Sequence, residues 1–163
     1  MARLALPRKI PIRSERRFSS TRAPPPQLAA FPWATGIDLR WEDVDTYGHV
    51  NNVKFYSFFD TAVNRCLLEK RLLALPPPPS SPIGFVVASS CTFLSPLRFP
   101  AAVTVGLRVA RVGGSSATYH LGVFHALGAC AAFGEFTHVY VDSATQRPRT
   151  ISKEWRAELE RLR

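Results

Sequence analysis

Arg40-Trp41-Glu42-Asp43-Val44-Asp45-Thr46-Tyr47-Gly48-His49-Val50-Asn51-Asn52-Val53-Lys54-Phe55-Tyr56 decides how the rest of the chain is read. Two aspartates, a glycine turn, a histidine and two asparagines stand directly ahead of an aromatic-rich run with helical spacing. The short side-chain oxygen of asparagine accepts from the free N–H groups of a first helical turn, so a helix is expected to start here. A helix mouth carries unpaired amides and the positive end of the macrodipole, which suits it to stabilise a developing oxyanion. A carboxylate held beside it could serve as base or nucleophile.

Outward from this stretch the pattern is regular. Upstream, from Trp33 to Trp41, Ile37, Leu39 and Trp41 alternate with Asp38, Arg40 and Glu42, as in a strand with one wet face. Downstream, Val53 to about Leu73 brings Phe55, Tyr56, Phe59, Ala62, Val63, Cys66 and Leu67 onto one broad helical face, with Lys54, Ser57, Thr61, Asn64 and Arg65 opposite. Prolines 76–79 end that helix in a stiff surface connection. Strands are then expected over Ile83–Ser95, around Val103–Val109, over Ser115–His125 after a Gly113-Gly114 hairpin turn, and over Ala129–Asp142. Ser152 caps a last helix with Trp155, Leu159 and Leu162 on one side. The outline is α+β: an antiparallel sheet wrapped around a long central helix. No repeat, G-x-G-x-x-G or P-loop is present, which disfavours nucleotide-binding folds.

Composition bounds the remaining classes. At 163 residues the chain suits one domain with a real core. Its formal charge of +9 is concentrated at the front, where residues 1–37 hold seven Lys and Arg against Glu15 alone. The folded part is only mildly basic, so no nucleic-acid partner is expected of it. Residues 1–32 are rich in Arg, Ser and Pro, which predicts a disordered organelle-targeting segment ahead of a domain at 33–163. Arg16-Arg17-Phe18-Ser19 is similar to the sequence at which mitochondrial presequences are cut, so mitochondrial localisation is expected, with a cytoplasmic protein carrying a basic tail as the alternative. The charge-free stretches 72–97 and 112–134 are broken by prolines, glycines and serines and do not read as membrane spans. Three scattered cysteines, Cys66, Cys91 and Cys130, fit neither a disulfide framework nor a zinc site.

Asp45-Thr46-Tyr47-Gly48-His49-Val50-Asn51-Asn52, followed by Phe55-Tyr56, resembles the signature of hotdog-fold acyl-CoA thioesterases of the 4-hydroxybenzoyl-CoA thioesterase type. The resemblance covers Trp33 to Leu162 and implies the hotdog fold, hydrolysis of an acyl-CoA thioester with a fatty acyl group as the expected substrate, no cofactor or metal, and a homodimer or homotetramer. Carried over by position, it makes Asp45 the catalytic carboxylate, as nucleophile or as base, and the backbone N–H of Asn52 the oxyanion donor. His49 is a further catalytic candidate, mostly structural in such proteins. The acyl chain is expected between the helix face at Tyr56 and Phe59 and the strand containing Phe85 and Val87, with Ser115 and Ser116 near the ligand. Arg98, Arg108, Arg111 and Lys153 are candidates for the coenzyme A phosphates by sign only.

Each role has a plainer rival. Asp45 before Gly48 could simply bond its own turn, and Asp43-x-Asp45-x-Tyr47-Gly48 imitates the start of a calcium loop. The loop fails at Tyr47 and Lys54, where oxygen ligands belong. His120, His125 and His138 have no metal-like spacing and read as surface or hydrogen-bonded core residues. A non-catalytic acyl-CoA binding or sensing protein on the same fold is the alternative function.

Overall fold

A computed structural model describes residues 24–79 and 81–163. Residues 1–23, and with them most of the expected targeting segment, lie outside the described residues. In chain order the elements are β1 (Trp33–Asp38), a 3-10 turn at Trp41–Asp43, α1 (Asn52–Glu69), β2 (Pro82–Phe93), β3 (Ala102–Val112), β4 (Ser116–His125), β5 (Cys130–Asp142) and α2 (Lys153–Glu160). The five strands form one sheet in the order β1-β3-β4-β5-β2, antiparallel at every pairing. This is the α+β architecture of a hotdog fold, with the 18-residue α1 as its central helix.

Alternation along the strands builds the inner face. Val103, Val105, Leu107 and Val109 of β3 and Ala117, Tyr119, Leu121 and Val123 of β4 are all buried, as a period of two on one covered face requires. Helix α1 lays Phe55, Phe58, Phe59, Ala62, Val63, Cys66 and Leu67 onto that face. Phe59 meets Phe136 of β5 edge to face at 5.7 Å, and Tyr56 stacks on the same ring at 6.2 Å. Such pairs add about 0.5–1.5 kcal/mol beyond the area they bury.

Both ends of α1 have local causes. Asn51 is the N-cap, its Oδ1 accepting from Val53 N at 3.1 Å. The helix stops at Glu69 rather than near Leu73 because Arg71 takes a left-handed conformation, φ 58°. Leu72 N–H then donates to Leu67 O and Arg71 N–H to Leu68 O, the pairing that closes a helix in a Schellman motif. That position usually holds glycine, so nothing in the sequence signals the stop. The strand expected to run to Trp41 likewise ends at Asp38. The 3-10 turn that follows leaves Trp41 81% exposed.

Two features shape the sheet. A bulge in β2 leaves Val87 as the extra residue between the pairs Val86–His138 and Ala88–Thr137. At Gly134 of β5 an added Cβ would lie 2.0 Å from Ser90 O, so only glycine permits this approach of β2. Outside the sheet, Phe31 is buried ahead of β1, following a short 3-10 turn at Leu28–Ala30. Among the described residues no helix is long and apolar enough to cross a membrane.

His138 is the polar exception on the inner face. It is 3% exposed, and neither ring nitrogen has a hydrogen-bond partner among the described residues. Tyr119, Phe136 and Tyr140 surround it, and the two tyrosine hydroxyls bond to each other. Burial lowers the His138 pKa below its ordinary value, and the Asp60 carboxylate only partly opposes this. The unfolded chain therefore takes a proton that the native state resists, and stability falls as pH drops through the unfolded value near ~6.5, at no more than about 1.4 kcal/mol per pH unit for one proton. Thermal denaturation at pH 7 and pH 5 should show a larger loss of Tm for the wild type than for His138→Phe. Equal losses would remove His138 as the cause.

Candidate active site

The loop between β1 and α1 is held by a buried charge. Asp43 is 0% exposed; its carboxylate accepts from Arg40 N at 2.7 Å and Arg40 Nη2 at 3.1 Å, and Lys54 Nζ lies 3.2 Å away. Burial alone would raise its pKa, but the bonds from Arg40 and Lys54 outweigh that and hold the carboxyl below its ordinary value. The Asp43 carbonyl also accepts from Asn51 N at 2.8 Å, so a single residue ties the 3-10 turn to the helix cap.

Within this frame the loop folds tightly. Asp45 N donates to His49 O at 2.9 Å, and Gly48 N donates to Asp45 O at 3.0 Å. Gly48 has φ 77°, a conformation glycine adopts without strain. Asp45 Oδ1 accepts from Tyr47 N at 2.8 Å, the side-chain turn that its position before a glycine suggests. No hydrogen bond among the described residues engages Oδ2. On the helix side, Asn51 N and Val53 N are both occupied, whereas the amide of Asn52 has no partner among the described residues.

These groups meet at one cavity of about 380 Å³, lined by Asp45, His49 and Asn52 on one side and by Phe55, Phe93 and Ser95 on the other. Asp45, half-buried, and Asn52, at the start of the helix, thus line a common space with an aromatic wall. Phe55 and Phe93 pack edge to face at 5.2 Å. Ser95 Oγ is 2.8 Å from His125 Nε2, which satisfies that histidine. The loop hydrogen bond of His49 runs through its backbone; its Nε2 is buried without a partner. Arg98 Nη1 reaches Gly48 O at 3.4 Å, which keeps one cation beside the loop.

The other candidates are placed less simply. Tyr56 and Phe59 follow Phe55 on the inner side of α1, but Phe59 is fully buried in the core, and neither lines the cavity. The bulge at Val87 reverses the alternation of β2. Ser89 pairs with the inward Phe136, whereas Phe85 pairs with Val139, between the inward His138 and Tyr140, so Phe85 lies on the outer face, away from α1. Val87 is itself 58% exposed. Ser116 pairs with that same Val139, and Ser115 O accepts from Tyr140 N. Both serines therefore stand in the row of Phe85, about 25 Å along the strands from the row of Phe93. One chain does not bring them to the Asp45 cavity. Phe93 and Ser95 were not expected there, because the chain connecting β2 to β3 meets the helix mouth only through the tertiary fold. Phe55 could have been found, since it lies one turn after Asn52 on the same side.

Among the described residues no group of three or more His, Cys, Asp or Glu side chains is placed to hold a metal ion. A protein family described as the thioesterase-like superfamily matches residues 39–159. The PA5185 protein of Pseudomonas aeruginosa strain PAO1 is 43% identical over 86% of this chain and 97% of its own, with a TM-score of 0.80. A thioesterase from Thermus thermophilus, complexed with coenzyme A and zinc, is 26% identical over 82% and 95%, with a TM-score of 0.67. Slr0204 of Synechocystis, a 1,4-dihydroxy-2-naphthoyl-CoA thioesterase, is 16% identical over 79% and 96% with a TM-score of 0.69, a likeness of fold alone. A comparison with curated proteins found no match.

Asp43 gives this geometry a test that needs no substrate. Asp43→Asn removes the charge that Arg40 and Lys54 share, and chemical denaturation at pH 7 should show a loss of about 2 kcal/mol, the scale of hydrogen bonds to a charged group. Because the native pKa is depressed, this advantage is present above pH ~4 and fades as pH falls through the native value. A variant as stable as the wild type at pH 7 would contradict the tie.

Proposed function

Because the chain belongs to the thioesterase-like superfamily, we propose that it hydrolyses an acyl-CoA thioester to a carboxylic acid and coenzyme A, with a fatty acyl group as the expected substrate. The observation that carries this reading is that Asp45 and Asn52, whose backbone amide has no partner among the described residues, line one cavity. The thioester carbonyl would accept from that amide, which stabilises the charge that develops as the carbon becomes tetrahedral. Asp45 then acts through the oxygen that its turn leaves free. As a base it takes a proton from water, whose oxygen attacks the carbon and expels the thiolate. As a nucleophile it attacks the carbon and expels the thiolate to form an anhydride, which water opens to release the acid and restore the carboxylate. The Asp45–Asn52 motif, with its resemblance to the 4-hydroxybenzoyl-CoA thioesterase type, supports both routes. His49 is assigned to shaping the loop through its backbone bond to Asp45.

The working unit is proposed to be a homodimer joined along β2. That strand is a sheet edge, and its Phe85, Val86, Val87 and Phe93 are between 45% and 58% exposed. Such an edge is a template for pairing with another chain. Antiparallel pairing of two β2 edges sets the Phe85 end of one copy beside the Phe93 end of the other. The Ser115–Ser116 corner of each copy then approaches the Asp45 cavity of its neighbour, which answers the separation of about 25 Å within one chain.

Two measurements test these readings. Thiol release from a panel of acyl-CoAs should fall about 10²–10⁴-fold in kcat for Asp45→Asn, the usual contribution of a positioned acid or base, with Tm held. Full activity in the variant sinks the assignment. Val87→Lys should convert a sedimenting dimer to monomer and remove most activity; a fully active monomer would show that each chain holds a complete site.

A further inference from the structure

A second recess lies on the other face of the sheet. It has a volume of about 500 Å³ and sits between the outer face and the segment 24–31. Phe31 anchors that segment. Its ring fills the space left by two glycines: an added Cβ at Gly106 would sit 2.7 Å from Phe31 Cγ, and one at Gly122 3.0 Å from Phe31 Cζ. Phe124 meets it edge to face at 5.6 Å. The segment is thereby strapped across the sheet, and Pro24, Pro26 and Phe31 form one wall of the recess while Phe133 contributes from the strands.

A polar row crosses this apolar ground. Arg108 pairs in register with His120, His120 with Glu135, and Glu135 with Ser90, so four strands contribute neighbouring side chains to the outer face. Arg108 Nη2 is 3.0 Å from His120 Nδ1, and His120 Nε2 is 2.7 Å from Glu135 Oε1. A guanidinium only donates. In this contact Nδ1 is therefore the acceptor, and Nε2 faces Glu135. The Glu135 charge is directed at His120, and Arg108 stands at the far end with no carboxylate touching it. Its remaining N–H groups have no partner among the described residues.

We propose that this recess is a second binding site, separate from the Asp45 cavity, for an apolar monocarboxylate, with Arg108 as the carboxylate clamp and the 24–31 strap as the outer wall. The volume lies within the range of about 300–1,000 Å³ for small-molecule sites, which are mostly apolar with a few placed polar groups. The planar fork of a guanidinium matches a carboxylate with two parallel hydrogen bonds. A neutral lipid would leave the guanidinium unanswered, and a polyanion would meet the Glu135 carboxylate. The site does not depend on the proposed chemistry, although a carboxylic acid is what thioester hydrolysis would release; that link to product binding rests on the thioesterase reading.

Calorimetric titration of the full chain with sodium decanoate tests it. Wild type and Asp45→Asn should each bind one equivalent. Arg108→Met should weaken binding about tenfold or more, as loss of hydrogen bonds to a charged group requires, and decanol should bind the wild type correspondingly worse than decanoate. Ser90→Trp, which fills the recess without touching the clamp, should remove binding even if Arg108→Met does not fold. Thiol release measured in parallel reports on the Asp45 reading alone, and Ser90→Trp should leave it unchanged. Absence of saturable binding overturns the proposal. So does binding that survives both outer-face variants, which would put decanoate in the Asp45 cavity, and so does a site that takes coenzyme A in preference to decanoate.

Discussion

The buried carboxylate of Asp43 is the constraint on which the site depends. A charge with no exposed surface is tolerable only when it is paired and hydrogen-bonded, and here its partners come from both sides of one loop. Arg40 lies before it in the chain, and Lys54 belongs to the first turn of α1. Satisfying Asp43 therefore fixes the entry angle of the helix, and its carbonyl fixes the cap through Asn51 N. Asp45 and the Asn52 amide inherit their positions from that arrangement.

The sheet sets the second constraint. Five antiparallel strands present one apolar face, and α1 covers it with a row of aromatic residues that meet Phe136. The first turn of the helix lines the Asp45 cavity, and from Phe59 onward the same face is buried core. The strand that completes the cavity, β2, is also one of the two edges of the sheet, β1 being the other. The proposed site and the edge proposed for pairing thus lie on the same strand.

Local signals carried much of this architecture in the sequence. Asn51 and Ser152 cap the two helices where their short oxygens suggested, Gly113-Gly114 turns between β3 and β4, and the alternation in β3 and β4 assigns their buried face correctly. What failed had no local sign. Arg71 ends α1 in a conformation that normally selects glycine, and the 3-10 turn at Trp41 continues an alternating pattern that reads as strand. The bulge at Val87 matters most: one inserted residue reverses every side chain beyond it, which moves Phe85 from the helix side to the outside. The row from Arg108 to Ser90 exists only through register across four strands, so spacing along the chain could not disclose it. His138 was within reach, since it alternates with Phe136 and Tyr140 on the inward face.

Phe31 has a consequence for how much of the chain could be trimmed without harm. The sequence places the start of the domain at the first strand, but the ring that closes the outer face lies ahead of it, seated where two glycines leave no other filling. Removing everything before Trp33 would strip Gly106 and Gly122 of their cover and present a strip of bare backbone and apolar side chain to solvent. Any maturation cut, protease-resistant fragment or shortened recombinant form that keeps the fold intact should therefore begin upstream of the strap. The packing of Phe31 extends the closed fold upstream of the first element of its sheet.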